Sequence, residues 1–251
     1  MSHLRTELEA LRAAVMFFTR LPLPMTRAWD PESLQRAAAY FPLVGWLVGG
    51  VAAAVWCLGI RLFPPGLASG LSLAATLLLT GAFHEDGFAD VCDGFGGGYT
   101  QERVLEIMRD SRIGAFGAIG VVVILGLKWM AVAALPLPLA PLVLIAGHAL
   151  SRGASASVMA ALSYVREEEG KAKPLATELR GGRLLAALFF SLAPLAFLPP
   201  RMGWSVIVVV IVRLALVCWF RRRIGGYTGD CLGAAQQVSE VAFYLTVLAL
   251  V

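Results

Sequence analysis

His84 to Gly98, HEDGFADVCDGFGGG, places four carboxylates, Glu85, Asp86, Asp90 and Asp93, within nine residues, directly after an apolar run at 66–83. If that run continues as a helix, Asp86, Asp90 and Asp93 follow one another at i, i+4 and i+7. They then share a stripe about 60° wide. Two carboxylates about 6 Å apart at an effective dielectric near 20 repel by about 3 kcal/mol, so the stripe calls for protons or a cation. Hard oxygen ligands in this number suit Mg²⁺ or Mn²⁺, and Mg²⁺ usually takes few carboxylates and completes its shell with substrate phosphates. A solvated acidic loop is the competing reading of DxxxDxxD alone. Gly94, Gly96, Gly97 and Gly98 weigh against it: they are expected to end the helix just after Asp93 and to bare backbone that a ligand can approach. Cys92 lies inside the stretch, but a thiolate adds little to a hard-cation site.

Two further clusters carry related chemistry. After Thr100, a helix N-cap, comes a short helix with Val104, Leu105, Ile107 and Met108 on its apolar side, ending in Arg109, Asp110, Ser111 and Arg112. Arginines at i and i+3 beside an acidic stretch can grip phosphate oxygens while a metal holds others; simple anchoring at the membrane surface is the alternative. At 225–230, Gly225, Gly226, Tyr227, Thr228, Gly229 and Asp230 open the last apolar segment. A glycine-rich turn at a helix N-terminus presents N–H groups and a positive dipole end to an anion, and Asp230 either adds a metal ligand or caps the helix. Acids, arginines and an anion turn together suggest phosphoryl transfer on a diphosphate substrate.

The elements that must carry these residues belong to a membrane protein. The chain of 251 residues is 58% hydrophobic and 15% charged, with a mean hydropathy of +0.74, which excludes an ordinary soluble domain. Seven apolar segments, at about 38–60, 66–83, 113–134, 139–162, 184–199, 203–220 and 232–251, predict an all-α polytopic domain over 1–251 with about seven transmembrane helices. The segment at 184–199 is short and ends in Pro199 and Pro200. Before them, Leu4, Leu8, Leu11, Val15 and Phe18 predict an amphipathic interfacial helix, ended by Pro22 and Pro24, with a capped restart at Asp30 and Pro31. The N-terminus lacks a signal-peptide pattern. Of the 21 Lys and Arg, sixteen fall in loops on the side of the N-terminus and two, Arg61 and Arg201, on the other, which predicts a cytoplasmic N-terminus and cytoplasmic acidic loops. The basic excess behind a pI near 9.1 is thus a topology signal, with the bilayer rather than nucleic acid as partner. Lys128, Arg152 and Arg213 fall inside spans, and His148, Arg152 and Glu240 are intramembrane candidates that each need a partner. The four cysteines read as small core residues.

HEDGFADVCDG at 84–94, IMRDSRIGAFG at 107–117 and GGYTGDCLGA at 225–234 resemble the signatures of the adenosylcobinamide-GDP ribazoletransferase, or cobalamin synthase, family, as do FFTRLPLP at 17–24 and YFPLVGWLVGG at 40–50. The resemblance covers about residues 10 to 245. It implies a bacterial inner-membrane enzyme using Mg²⁺, in which the 5′-hydroxyl of α-ribazole, or its 5′-phosphate, attacks the cobinamide-linked phosphorus of adenosylcobinamide-GDP and GMP leaves. By position, Asp86, Asp90, Asp93, Asp110 and His84 become candidate catalytic residues, Asp86, Asp90, Asp93 and Asp230 candidate metal ligands with Glu85 a weaker one, and Arg109, Ser111, Arg112, Gly225, Gly226, Thr228 and Gly229 candidate substrate contacts. YVREEEG at 164–170 matches the family's pattern more loosely, leaving Tyr164 and Arg166 without a firm role. The sequence leaves room for a homo-oligomer. Two other readings compete. Asp90, Asp93 and Gly94 satisfy the opening DxxDG of CDP-alcohol phosphotransferases, but Gly97 and Gly98 depart from that motif and its later GxxxDxxxD is absent. A cation or corrinoid transporter would need ionisable residues along a two-sided path.

Overall fold

The computed structural model describes residues 2–23, 36–165 and 179–251. The restart at Asp30 and Pro31 and the position of Arg166 lie outside them. Among the described residues there are ten α-helices and no strand: α1 (Ser2–Phe18), α2 (Phe41–Gly59), α3 (Pro65–Thr80), α4 (Phe83–Gly97), α5 (Gln101–Ile107), α6 (Ala115–Ala133), α7 (Ala140–Met159), α8 (Gly182–Leu192), α9 (Trp204–Ile224) and α10 (Gly229–Ala249). The chain is thus all-α. On α1, Ala10, Ala13, Ala14 and Phe18 are buried, whereas Leu4 and Leu8 face outward, so its small residues meet the bundle and its leucines are left to the surroundings.

Helical stretches at Ala38–Gly59, Ala115–Ala133, Ala140–Met159 and Pro200–Ile224 are long and apolar enough to cross a bilayer, with a fifth if α3 and α4 form one bent span. Each of the seven expected segments contains a helix, but they are not seven alike. The segment at 184–199 is an eleven-residue helix continued by a 3-10 turn at Ala193–Phe197. The last, α10, is 21 residues long and buried along most of its length, carrying Gln236, Gln237, Ser239 and Glu240 in the interior. It packs against α4, α6, α7 and α9, so protein rather than lipid is its solvent. Alongside, α2 lies close to α7 because Gly45 and Gly49, one turn apart, let its backbone approach that of His148, Ala149 and Ile145 to distances no Cβ would allow.

The step from α3 to α4 decides where the acids go. Gly81 (φ 66) and Ala82 (φ 56) are consecutive left-handed residues, and between them the axis turns by 89°. The Arg20 N–H bonds the Leu79 carbonyl at 2.8 Å, and its guanidinium stands where a Cβ on Gly81 would be. The acidic stretch is therefore helical, as expected, but it is not a continuation of the preceding apolar helix. Nor do the glycines after Asp93 end it, as the sequence suggested, because α4 runs through to Gly97. Gly94 receives the Met108 side chain and the Val104 carbonyl, and Gly96 receives the ring of Phe116. That close packing offsets a helix penalty of about 1 kcal/mol per glycine.

Candidate active site

On α4 the three aspartates share a face but not an environment. Asp86 is exposed, Asp90 half-buried and Asp93 buried. The Asp93 carboxylate accepts the Gly114 N–H at 2.7 Å and the Gly117 N–H at 2.8 Å, so it closes the first turn of α6 and places a negative charge at that helix's positive end. Gly114 and Gly117 are glycines for a steric reason: a Cβ on either would strike this carboxylate. The RIGAFG signature and the acidic signature are thus two halves of one joint. Asp90 and Asp86 lie about one and two turns nearer the N-terminus of α4. The start of α10 packs against α4 there, and a Cβ on Gly87 would lie 2.9 Å from the Asp230 Cα.

Thr228, not Asp230, caps α10: its hydroxyl oxygen accepts the Cys231 N–H at 3.4 Å and donates to the Asp230 carboxylate at 3.3 Å. Gly225 ends α9 in the left-handed conformation, and Gly226 lies against the Ser163 carbonyl where no side chain fits. The Tyr227 N–H bonds that carbonyl at 3.0 Å and the Val165 N–H bonds the Tyr227 carbonyl at 3.1 Å, so Tyr164 and Tyr227 stand side by side with ring centroids 5.5 Å apart. The Tyr227 hydroxyl is pushed up to about 12 by burial. Of the expected anion turn, Gly225 and Gly226 serve the turn itself, and Gly229 is the first residue of α10.

In the loop after α5, which Thr100 caps as expected, Arg112 holds Asp110 in a fork of 3.0 and 2.6 Å. Its guanidinium keeps the Asp110 carboxyl down at about 2, so Asp110 is a permanent anion and a poor proton acceptor near neutral pH. Arg109 and Ser111 are exposed, and no carboxylate among the described residues pairs with Arg109. His84 points the other way. It is buried, stacked on Phe18 at 5.2 Å, with its carbonyl against Gly233, and it ties α1 and α10 to the start of α4.

Behind the acid face lies a buried charge network. Glu85 of α4 accepts from Gln237 at 2.7 Å and lies 4.0 Å from the Lys128 ammonium, which is 3.2 Å from Glu240. Glu240 also accepts from Tyr244 at 3.0 Å and from Gln236, and His148 Nδ1 stands 3.5 Å from it. Arg152 bonds the His148 carbonyl at 3.2 Å. Two cations face two carboxylates, so the core is balanced, and the cavity beside it has about 20 Å³, room for about one water. Sequence reasoning marked His148, Arg152 and Glu240, placed Lys128 inside a span without giving it a partner, and missed Gln236, Gln237 and Tyr244; two glutamines and a glutamate within five residues of an apolar segment were the available signal. It also took Arg223 as a topology charge, whereas Arg223 donates to the Phe95 and Gly98 carbonyls at 2.8 and 2.6 Å and closes the C-terminus of α4.

Among the described residues no three His, Cys, Asp or Glu side chains are gathered tightly enough to hold a metal by themselves. Asp86 and Asp90 on one helix face fit the donor set of Mg²⁺, which needs only one or two carboxylates when phosphate oxygens complete its shell.

Residues 10–248 match the sequence profile of cobalamin-5-phosphate synthase. An adenosylcobinamide-GDP ribazoletransferase of Ralstonia pickettii (strain 12J) is 50% identical over 99% of this chain and 98% of its own length. Proteins of the same description from Shewanella amazonensis (strain ATCC BAA-1098 / SB2B) and Vibrio cholerae serotype O1 (strain ATCC 39541 / Classical Ogawa 395 / O395) are 44% identical, covering 100% and 98% of the two chains, and 42% identical, covering 98% and 95%. No solved structure matches.

Proposed function

The chain belongs to the cobalamin-5-phosphate synthase family, and on that premise we propose that it is an adenosylcobinamide-GDP ribazoletransferase that assembles the cobalamin nucleotide loop. A hydroxyl of α-ribazole, or of its 5′-phosphate, loses its proton to solvent and forms a bond to the cobinamide-linked phosphorus. The bond from that phosphorus to the bridging oxygen breaks, and GMP leaves with the oxygen. A product that keeps a 5-phosphate has its 5′ oxygen blocked, so the nucleophile is a secondary ribose hydroxyl rather than the 5′-hydroxyl expected from the sequence.

The observation that carries this reading is that Asp86 and Asp90 share one face of α4 where the start of α10 packs against it, with Asp93 committed to locking α4 onto α6. Asp86 and Asp90 would hold Mg²⁺, which when bound neutralises diphosphate charge. Arg109 would take phosphate oxygens, and Asp110, held in the Arg112 fork, orients Arg112 rather than moving a proton. On this reading the active face lies on the cytoplasmic side of a bacterial inner membrane. Maleimide labelling of Tyr99→Cys, at a 96% exposed position beside α4, should occur from the cytoplasm only. For the activity, purified protein given adenosylcobinamide-GDP, α-ribazole and Mg²⁺ should release GMP in step with corrinoid product. GMP release that does not require α-ribazole would mean a hydrolase instead.

A further inference from the structure

Between α7, α8 and α9 lies an apolar cleft of about 240 Å³, open on one side and lined by Leu150, Ala154, Leu188 and Val206, with Arg213 at one end. The polar groups in it are accounted for except one. Ser157 donates to the Ala154 carbonyl at 2.7 Å and Ser191 to the Ala187 carbonyl at 2.6 Å. Arg213 donates to the Ser157 hydroxyl and carbonyl at 2.9 and 2.6 Å, both neutral, and among the described residues no carboxylate meets its charge. It is the one cation in the middle of the stretch Pro200–Ile224, where an uncompensated charge is costly.

The depth of this charge is fixed by what it touches. Ser157 is in the last turn of α7, four residues before Ala161, whose carbonyl accepts from Arg221 at 3.3 Å. The Arg213 guanidinium therefore sits about 6 Å inside the level of the Arg221–Arg223 cluster, at 1.5 Å per residue. That is the end of the bundle that holds the acid face. From there the cleft runs toward the opposite end as far as Leu150 and Val206, each seven residues away in its helix, or about 10 Å. A ligand that matches has an anionic head near the active-site end and a hydrocarbon tail directed at the bilayer centre.

We propose that this cleft binds one phospholipid of net negative charge, its head group paired with Arg213 and one acyl chain lying between α7, α8 and α9. The site is separate from the acid face, so its existence does not depend on the reaction assigned above. The test uses the full chain in phosphatidylcholine nanodiscs containing a small fraction of phosphatidylglycerol with a photoreactive group on its acyl chain, followed by mapping of adducts on peptides. Adducts are expected at Leu150, Leu188 and Val206. They should fall about fivefold in Arg213→Gln, the weight of one basic residue toward an anionic lipid, and fall less in Arg213→Lys. Ala154→Leu, which keeps the cation but fills the cleft, should remove them while the thermal midpoint stays near wild type. Equal labelling by a phosphatidylcholine probe, labelling unchanged in Arg213→Gln, or no adduct in the cleft because another part of the chain or a second copy fills it, would each overturn the proposal.

Discussion

Asp90 and Asp93 are three residues apart and do different work. Asp93 spends both oxygens on the Gly114 and Gly117 amides. Asp93→Asn replaces an acceptor by a donor facing another donor, and should destabilise the protein by about 1 to 3 kcal/mol, seen as a lower thermal midpoint in detergent. Asp90→Asn should lower the midpoint of the metal-free protein less than Asp93→Asn does, because it relieves repulsion from Asp86, and should abolish GMP release. If the two variants lose stability equally, the division of labour along α4 is wrong. The sequence carried the stripe itself, since residue type and spacing sufficed to put three aspartates on one face. It could not separate them, because what distinguishes Asp93 is the arrival of Gly114 more than a dozen residues later. The cysteines failed for a related reason: Cys57 and Cys218 are exposed rather than in the core. In an apolar span a small apolar residue suits the lipid-facing side as well as the interior, so hydropathy alone cannot orient it.

The break between α3 and α4 is the element on which the site depends. Two left-handed residues turn the axis by 89°, and only one of them is glycine. Ala82 holds a conformation that costs a residue with a Cβ about 1 kcal/mol, so Ala82→Gly should keep full activity and raise stability by up to about 1 kcal/mol. Gly81→Ala adds both a strained φ and a collision with the Arg20 guanidinium, and should cost at least about 1 to 2 kcal/mol together with activity. Equal midpoints for the two variants would show that the turn is not under this constraint. Helix identity was readable from apolar runs and from caps such as Thr100. The break was not, because Thr80, Gly81 and Ala82 contain no proline and only one glycine. The end of α4 was misread because a glycine that packs against Met108 looks in sequence like a glycine that stops a helix.

At the scale of the whole bundle, α10 is the axis, and its polar side meets α4, α6 and α7 through Glu240, Lys128, Glu85 and His148. Removing one member of a buried pair strands the other. Lys128→Met should therefore destabilise by about 3 to 5 kcal/mol, and adding Glu240→Gln should recover much of that loss, since Arg152 and Glu85 still balance; no recovery in the double variant would mean that Lys128 acts through packing rather than charge. Because Glu85 precedes Asp86 and faces inward to Gln237, this network also sets the rotation of the acid helix. On the proposed function, the face so presented binds Mg²⁺ together with a diphosphate. The direct measurement is the thermal midpoint of purified protein titrated with Mg²⁺ in the presence and absence of adenosylcobinamide-GDP, for wild type and Asp90→Asn. Wild type should gain stability with Mg²⁺ and gain more with both, by about 2.7 kcal/mol at a hundredfold excess over the dissociation constant, while Asp90→Asn should gain little from either. Equal Mg²⁺-dependent stabilisation of the two proteins would contradict the claim.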